Sequence, residues 1–193
     1  MKIVGIDLSL TSTGVATYHG EPPYAELECR TIAPKTTGYE RVAEICADLW
    51  SAALTSNSIF APLVVIEGYA FAAKGRGMTG LAELRGVLLY TFQCRGTPLV
   101  TIPPACLKKY GTGTGNAAKE AVLLAAERRY GHLVEVHNND EADALMLVAM
   151  AMHYYGRPLA PVPALNAKAL TDRHLDRWPD FPHPRLAGGV RAA

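Results

Sequence analysis

The stretch HNNDEADALM holds three acids within four positions, Asp140, Glu141 and Asp143. Two more close short apolar runs far upstream, Asp7 at the end of KIVGID and Glu67 at the end of PLVVIE. Acids at a helix start serve as caps and complement its dipole. Gathered in one place they bind hard divalent cations, and carboxylates without His or Cys favour magnesium or manganese over zinc. At 3.6 residues per turn Asp140 and Asp143 lie about 60° apart, whereas Glu141 points about 100° from Asp140 and further from Asp143. Leu147 and Met150 continue the Asp140 and Asp143 face, so that face is apolar and must pack inward. Asn138 or Asn139 as N-cap explains why acids are tolerated there, but not why two of them face the interior.

Asp7 and Glu67 each end a segment that reads as a buried strand. The carboxyl edge of an open α/β sheet is where ligand sites gather, above all at a switch in strand order. If the two strands are neighbours the carboxylates face each other, and at about 5 Å with an effective dielectric near 20 they repel by roughly 3 kcal/mol. A divalent cation relieves that repulsion. For Asp7 alone, a turn-capping acid is an equally good reading; for Glu67, closing LVVI, there is no solvent-facing reason to be there.

The elements that must position these acids follow from patterning. KIVGIDL, GVATYHG and AELECRTI read as three strands in a meander, with a turn at Gly20 to Pro23. Val42, Ile45, Leu49 and Ala53 recur at spacings of three and four, which predicts a helix over Gly38 to Leu54. PLVVIEG and PLVTIP are buried strands, and residues 79 to 94, Asn116 to Tyr130 and the acid-led segment are helices. The order of strands and helices implies a mixed sheet with helices packed on it.

With 193 residues, 49% of them apolar, the chain has length for a sizeable core. Its longest apolar run, Ala144 to Met152, is too short to span a membrane, and MKIVGIDLS lacks the apolar stretch of a secretion signal, so a cytoplasmic protein without membrane contact is expected. Cys29, Cys46, Cys94 and Cys106 show no ligand spacing and are expected as reduced thiols. The net charge of +1 is uneven: residues 156–193 carry six Lys or Arg and three Asp, +3, which leaves −2 for residues 1–155. That final stretch has six prolines and reads as an extended, partly disordered basic extension to a domain of residues 1–155.

The motifs GIDLSLTSTG around Asp7, VVIEGYAF around Glu67 and DEADAL, with its D-x-x-D-A-L pattern, resemble the RuvC family of Holliday junction resolvases, within the ribonuclease H-like superfamily. PPACLKKYGTGTGNAAKEAV resembles the family segment that carries two functional lysines, matching Lys108 and Lys119. Coverage is about residues 2–155, four motifs in the family's order. The resemblance implies an α/β, ribonuclease H-like fold, a mixed five-stranded sheet of order 3-2-1-4-5 with helices on both faces. It implies that Asp7, Glu67, Asp140 and Asp143 hold two divalent cations, Mg2+ or Mn2+, for in-line phosphodiester cleavage that leaves a 5′-phosphate and a 3′-hydroxyl. Lys119 would stabilise the scissile phosphate, and Lys108 would hold DNA backbone. An aromatic after the Glu strand would stack on bases at the junction centre; here Tyr69 and Phe71 both follow Glu67. Lys74, Arg76 and Arg85 make that loop and the next helix basic, which suits phosphate contact. The family's substrate is a four-way DNA junction and its members are homodimers, with the helix here spanning Leu81 to Phe92 at the interface.

Other readings keep the fold and change the substrate to flaps, forks or RNA–DNA hybrids. A proofreading exonuclease fits less well, because its first strand offers Asp-x-Glu and this one offers Asp7, Leu8, Ser9. An ATPase of the actin and sugar-kinase type also begins with GID, but the chain is too short for its second domain and second phosphate loop.

Overall fold

A computed structural model describes residues 1–54, 61–69, 76–175 and 177–180. The chain runs β1 (Lys2–Asp7), β2 (Thr13–His19), β3 (Glu26–Ile32), α1 (Gly38–Leu54), β4 (Leu63–Glu67), α2 (Arg76–Cys94), β5 (Leu99–Ile102), α3 (Pro104–Thr112), α4 (Lys119–Tyr130), α5 (Asn139–Tyr154) and the short α6 (Ala164–Ala167), which a 3-10 turn follows at Lys168–Thr171. The sheet order is β3-β2-β1-β4-β5, the order the family resemblance implied. β1 is buried along its whole length, as a central strand covered on both faces must be. β3, at the edge, alternates exposed and half-buried residues, the period-two pattern of a strand with one wet face.

β1 pairs antiparallel with β2, Asp7 opposite Gly14, and parallel with β4, Ile6 opposite Ile66. The switch from antiparallel to parallel neighbours therefore falls at β1. Two apolar layers flank the sheet. Ile6, Ile45, Leu49, Leu84 and Phe92 form one with α1 and α2; Tyr110, Val122, Leu145 and Val148 belong to the other, with α3, α4 and α5.

α5 lies against the sheet backbone to backbone. A Cβ on Gly5 would stand 2.2 Å from the carbonyl oxygen of Ala144, and one on Gly14 would stand 1.9 Å from that of Asp140. Only glycine admits that approach, and it sets the first turns of α5 directly over the ends of β1 and β2.

Two helix starts and one whole helix differ from the sequence reading. α2 starts at Arg76 rather than at residue 79, and α4 at Lys119 rather than Asn116. α3 was not expected at all. Its local signals are nonetheless strong: Pro104 occupies the first turn, where a missing N–H costs nothing, and Gly113 ends the helix in the left-handed region at φ 90°. Residues 156–193 were expected as an extended, partly disordered extension; of these, 156–175 and 177–180 are described, and they lie on the domain with Ala160, Asn166, Ala169 and Trp178 buried, while the rest lie outside the described residues. Prolines and irregular spacing hid these contacts from a search for periodicity. No helix among the described residues is long and apolar enough to cross a membrane.

Candidate metal centre

β1 and β4 run parallel side by side, so their last residues, Asp7 and Glu67, emerge at the same edge of the sheet. The turn beyond Asp7 is fixed by Thr13, whose hydroxyl donates to the Ser9 carbonyl at 2.7 Å and accepts from the Ser9 N–H at 3.1 Å. Beyond Glu67, Gly68 donates its N–H to the Ile102 carbonyl at 2.8 Å. α5 delivers the third acid: Asp143 is buried at 6% exposure and points at the strand ends. One carboxylate oxygen from each of Asp7, Glu67 and Asp143 lies within 4.8 Å of the other two.

Such a cluster is electrostatically costly by itself. Burial raises the Asp7 carboxyl above its ordinary range, and the nearby Asp140 adds to the rise. Glu67 is pushed up by burial and then by Asp7 and Asp143, and it hydrogen-bonds with Asp7. Asp143 is pushed up to about 7 by burial, then by Asp7 and Asp140. The ammonium of Lys119 opposes the rise at all three acids, and that of Lys108 does so at Asp143. Among the described residues neither lysine makes an ion pair with them within 4 Å. The donor set is all carboxylate oxygen, with burial and surplus negative charge, and it fits a hard divalent cation.

Asp140 and Asp143 share a helix face as expected, but Asp140 stands outside the trio. It accepts from the Ser12 hydroxyl at 2.5 Å, near enough for its charge to act on both Asp7 and Asp143. Nothing in the sequence marks Ser12 for this role beyond its place in GIDLSLTSTG. Asn138 is the N-cap of α5 and accepts from the Glu141 N–H at 2.9 Å. Glu141, the acid that the helical angle set aside, turns to the other side. It accepts from the Thr31 hydroxyl at 2.8 Å and the His137 N–H at 2.9 Å, with the His137 ring at 3.1 Å. Burial raises its carboxyl, but these bonds outweigh it and hold the group below its usual value.

Lys119 is exposed at the start of α4, and Lys108 is half-buried on α3. Tyr69 follows Glu67 with 38% exposure. Phe71 and Lys74 lie outside the described residues; Arg76 is the first residue of α2. Arg85, grouped by sequence with the phosphate-facing cations, is buried instead. Its guanidinium donates to the Glu67 carbonyl at 2.6 Å and the Thr101 hydroxyl at 3.3 Å, and lies 5.1 Å from the centre of the Tyr69 ring. It braces the end of β4 because it falls on the inner face of α2, next to Leu84 and Leu88.

No family model matches the chain. It is 29% identical over 176 residues to the crossover junction endodeoxyribonuclease RuvC of Gloeobacter violaceus, covering 86% of this chain and 97% of that one. To the protein of the same name from Synechococcus sp. strain CC9311 it is 30% identical over 154 residues, covering 75% of this chain and 94% of that one. Thermus thermophilus RuvC has a similar fold, with a TM-score of 0.62 at 21% identity over 84% of this chain and all of the other. The same protein in complex with a Holliday junction substrate gives a TM-score of 0.61 at 23% identity over 81% of this chain and 95% of that one.

Proposed function

The chain belongs to the RuvC family, and from that premise we propose that it is a metal-dependent crossover junction endodeoxyribonuclease whose reaction centre is the cluster of Asp7, Glu67 and Asp143. One observation carries this reading: carboxylates from two adjacent parallel strands and one helix converge within 4.8 Å at the switch point of the sheet. Asp7, Glu67 and Asp143 would hold the cations, with Asp140 completing the set from the preceding turn of α5. Two bound Mg2+ ions, or Mn2+ in their place, would supply Lewis acidity for in-line attack of water on the phosphorus with the 3′-oxygen leaving, so that the products are a 5′-phosphate and a 3′-hydroxyl.

The protein's own groups then orient the substrate. Lys119, whose charge is felt by all three acids, neutralises charge on the scissile phosphate. Lys108 holds the neighbouring backbone. Tyr69, half-exposed beside Glu67 and backed by Arg85, offers a ring on which an unpaired base at the junction centre stacks. By the family resemblance Phe71, Lys74 and Arg76, which follow in the sequence, would add further DNA contacts. Cutting two opposed strands of a four-way junction needs two such sites, and a homodimer supplies them by symmetry. The outer face of α2, with Tyr90 72% and Val87 48% exposed, is the surface on which the two copies meet. A DNA substrate supports a cytoplasmic location for the enzyme.

The test offers purified protein a synthetic four-way junction, a flap, a fork, an RNA–DNA hybrid and a plain duplex with Mg2+, and maps the nicks. Paired symmetric nicks with ligatable ends are the expected outcome. Cleavage confined to flaps or hybrids, or trimming from ends, overturns the junction reading.

A further inference from the structure

Both lysines of the proposed site depend on where α3 ends: Lys108 lies on α3, and Lys119 opens α4 just past the connecting loop. The last carbonyls of a helix have no partner within it. At α3, those of Tyr110 and Gly111 are taken up from two sides. Arg129 of α4 donates to Tyr110 O at 3.3 Å and to Gly111 O at 3.1 Å. Asn166 of α6 donates its side-chain amide to the same two oxygens, at 2.8 and 3.0 Å. Asn166 is itself buried, at 6% exposure, so this amide is committed to α3 rather than to solvent.

The surrounding contacts make the segment after α5 a strap over this helix end. Leu165 lies against Gly113, the residue that ends α3, and Asp172 pairs with Lys109 at 3.9 Å. Further on, the Trp178 ring stacks on Tyr154 with 4.7 Å between centres, and the Tyr155 hydroxyl donates to Pro179 O at 2.8 Å. The strap thus leaves the end of α5, crosses α3 and returns to the end of α5.

We infer that Asn166 is a positioning residue for cleavage, holding the C-terminal end of α3 so that Lys108 and Lys119 face the acid cluster. The inference rests on the reading of those lysines given above. A displacement of about 1 Å at such a distance from the chemistry can slow a reaction up to about a hundredfold. On this view the working nuclease unit extends past residue 155 and includes the strap.

A double-mutant cycle on the full chain tests it, with single-turnover cleavage of a four-way junction in Mg2+ and junction affinity as readouts. Asn166→Ala is expected to slow cleavage about tenfold and leave affinity within about twofold. In a Lys119→Ala background the same change is expected to cost clearly less than in the parent, because only Lys108 is left for it to position. Asn166→Asp, equal in size but with a carboxylate oxygen facing the two carbonyl oxygens, should slow cleavage at least as much as Asn166→Ala. If Asn166→Ala does not fold, Asn166→Ser, which keeps one donor, enters the same cycle at smaller amplitude. Fully additive losses overturn the inference and leave Asn166 a structural residue. A Lys119→Ala variant that cuts at the parental rate sinks the site reading and this inference together.

Discussion

Two acids two positions apart on the first turns of α5 live under opposite conditions. Glu141 is buried on the side facing β3, where a hydroxyl, a backbone N–H and an imidazole converge on it and hold its carboxyl down. Asp143 is equally buried on the side facing β1 and β4, where it meets two further carboxyls, and its own is pushed up to about 7. The first environment is arranged for an anion that is already present. The second gathers like-charged groups, the donor set that suits the cation of the proposed function. Helix dipole and depth are nearly the same for both, so the neighbours decide which acid is satisfied within the protein and which is left for the proposed metal site.

The largest expected effect separates the two by activity. Asp143→Asn should lower single-turnover cleavage about a thousandfold, equivalent to about 4 kcal/mol of transition-state stabilisation, while junction affinity stays at the parental level. Glu141→Gln should remain within a few-fold of the parent. Equal losses in the two variants would erase the distinction.

Stability against pH sharpens it next, measured as thermal midpoints in chelator from pH 3 to pH 8. Asp143 has a raised carboxyl, so between about pH 4 and 7 the folded state holds a proton that the unfolded state has released. Its contribution to stability therefore falls as pH rises through that window, and the raised Glu67 carries the decline further. Glu141 has a lowered carboxyl and works in the other sense, its contribution being present above its unfolded value of about 4.5 and lost as pH falls through the folded one. Asp143→Asn should thus flatten the decline toward neutral pH and raise the midpoint there, and Glu141→Gln should remove the loss on the acid side. Parental Asp143-type decline persisting in Asp143→Asn would show that the strain lies elsewhere. A smaller effect is expected from Thr31→Val, which deletes one donor to Glu141: a loss of about 1 kcal/mol in denaturant titration, with cleavage unchanged.

The patterning of KIVGID and LVVIE, each apolar and acid-ended, placed Asp7 and Glu67 on strands, and their adjacency at the switch point is what the fold then supplied. The 60° angle between Asp140 and Asp143 was legible from helical geometry alone. Asp140 was harder, because its partner Ser12 lies on β2's approach, far away in the chain. Arg85 shows the same limit: a basic residue on a helix that follows a basic loop reads as a phosphate contact, and only the inward face of α2 makes it a brace for Glu67. α3 carried its signals, a proline at the start and a glycine at the end, in a stretch too short and too mixed for periodicity to show.

Composition and spacing determined by themselves that this chain folds as a mixed α/β domain and that its acids belong on strand ends and one inward helix face. These are local properties, set by side-chain period and by hydrophobic runs. Which acids meet was decided by the tertiary structure, because Gly5 and Gly14 let α5 descend onto β1 and β2 until Asp143 reaches Asp7 and Glu67. So was the fate of the proline-rich segment, where Asn166 and Trp178 find partners on α3 and α5 that no local pattern announces. Contacts between residues far apart in sequence depend on packing, and packing exists only once the whole chain has folded.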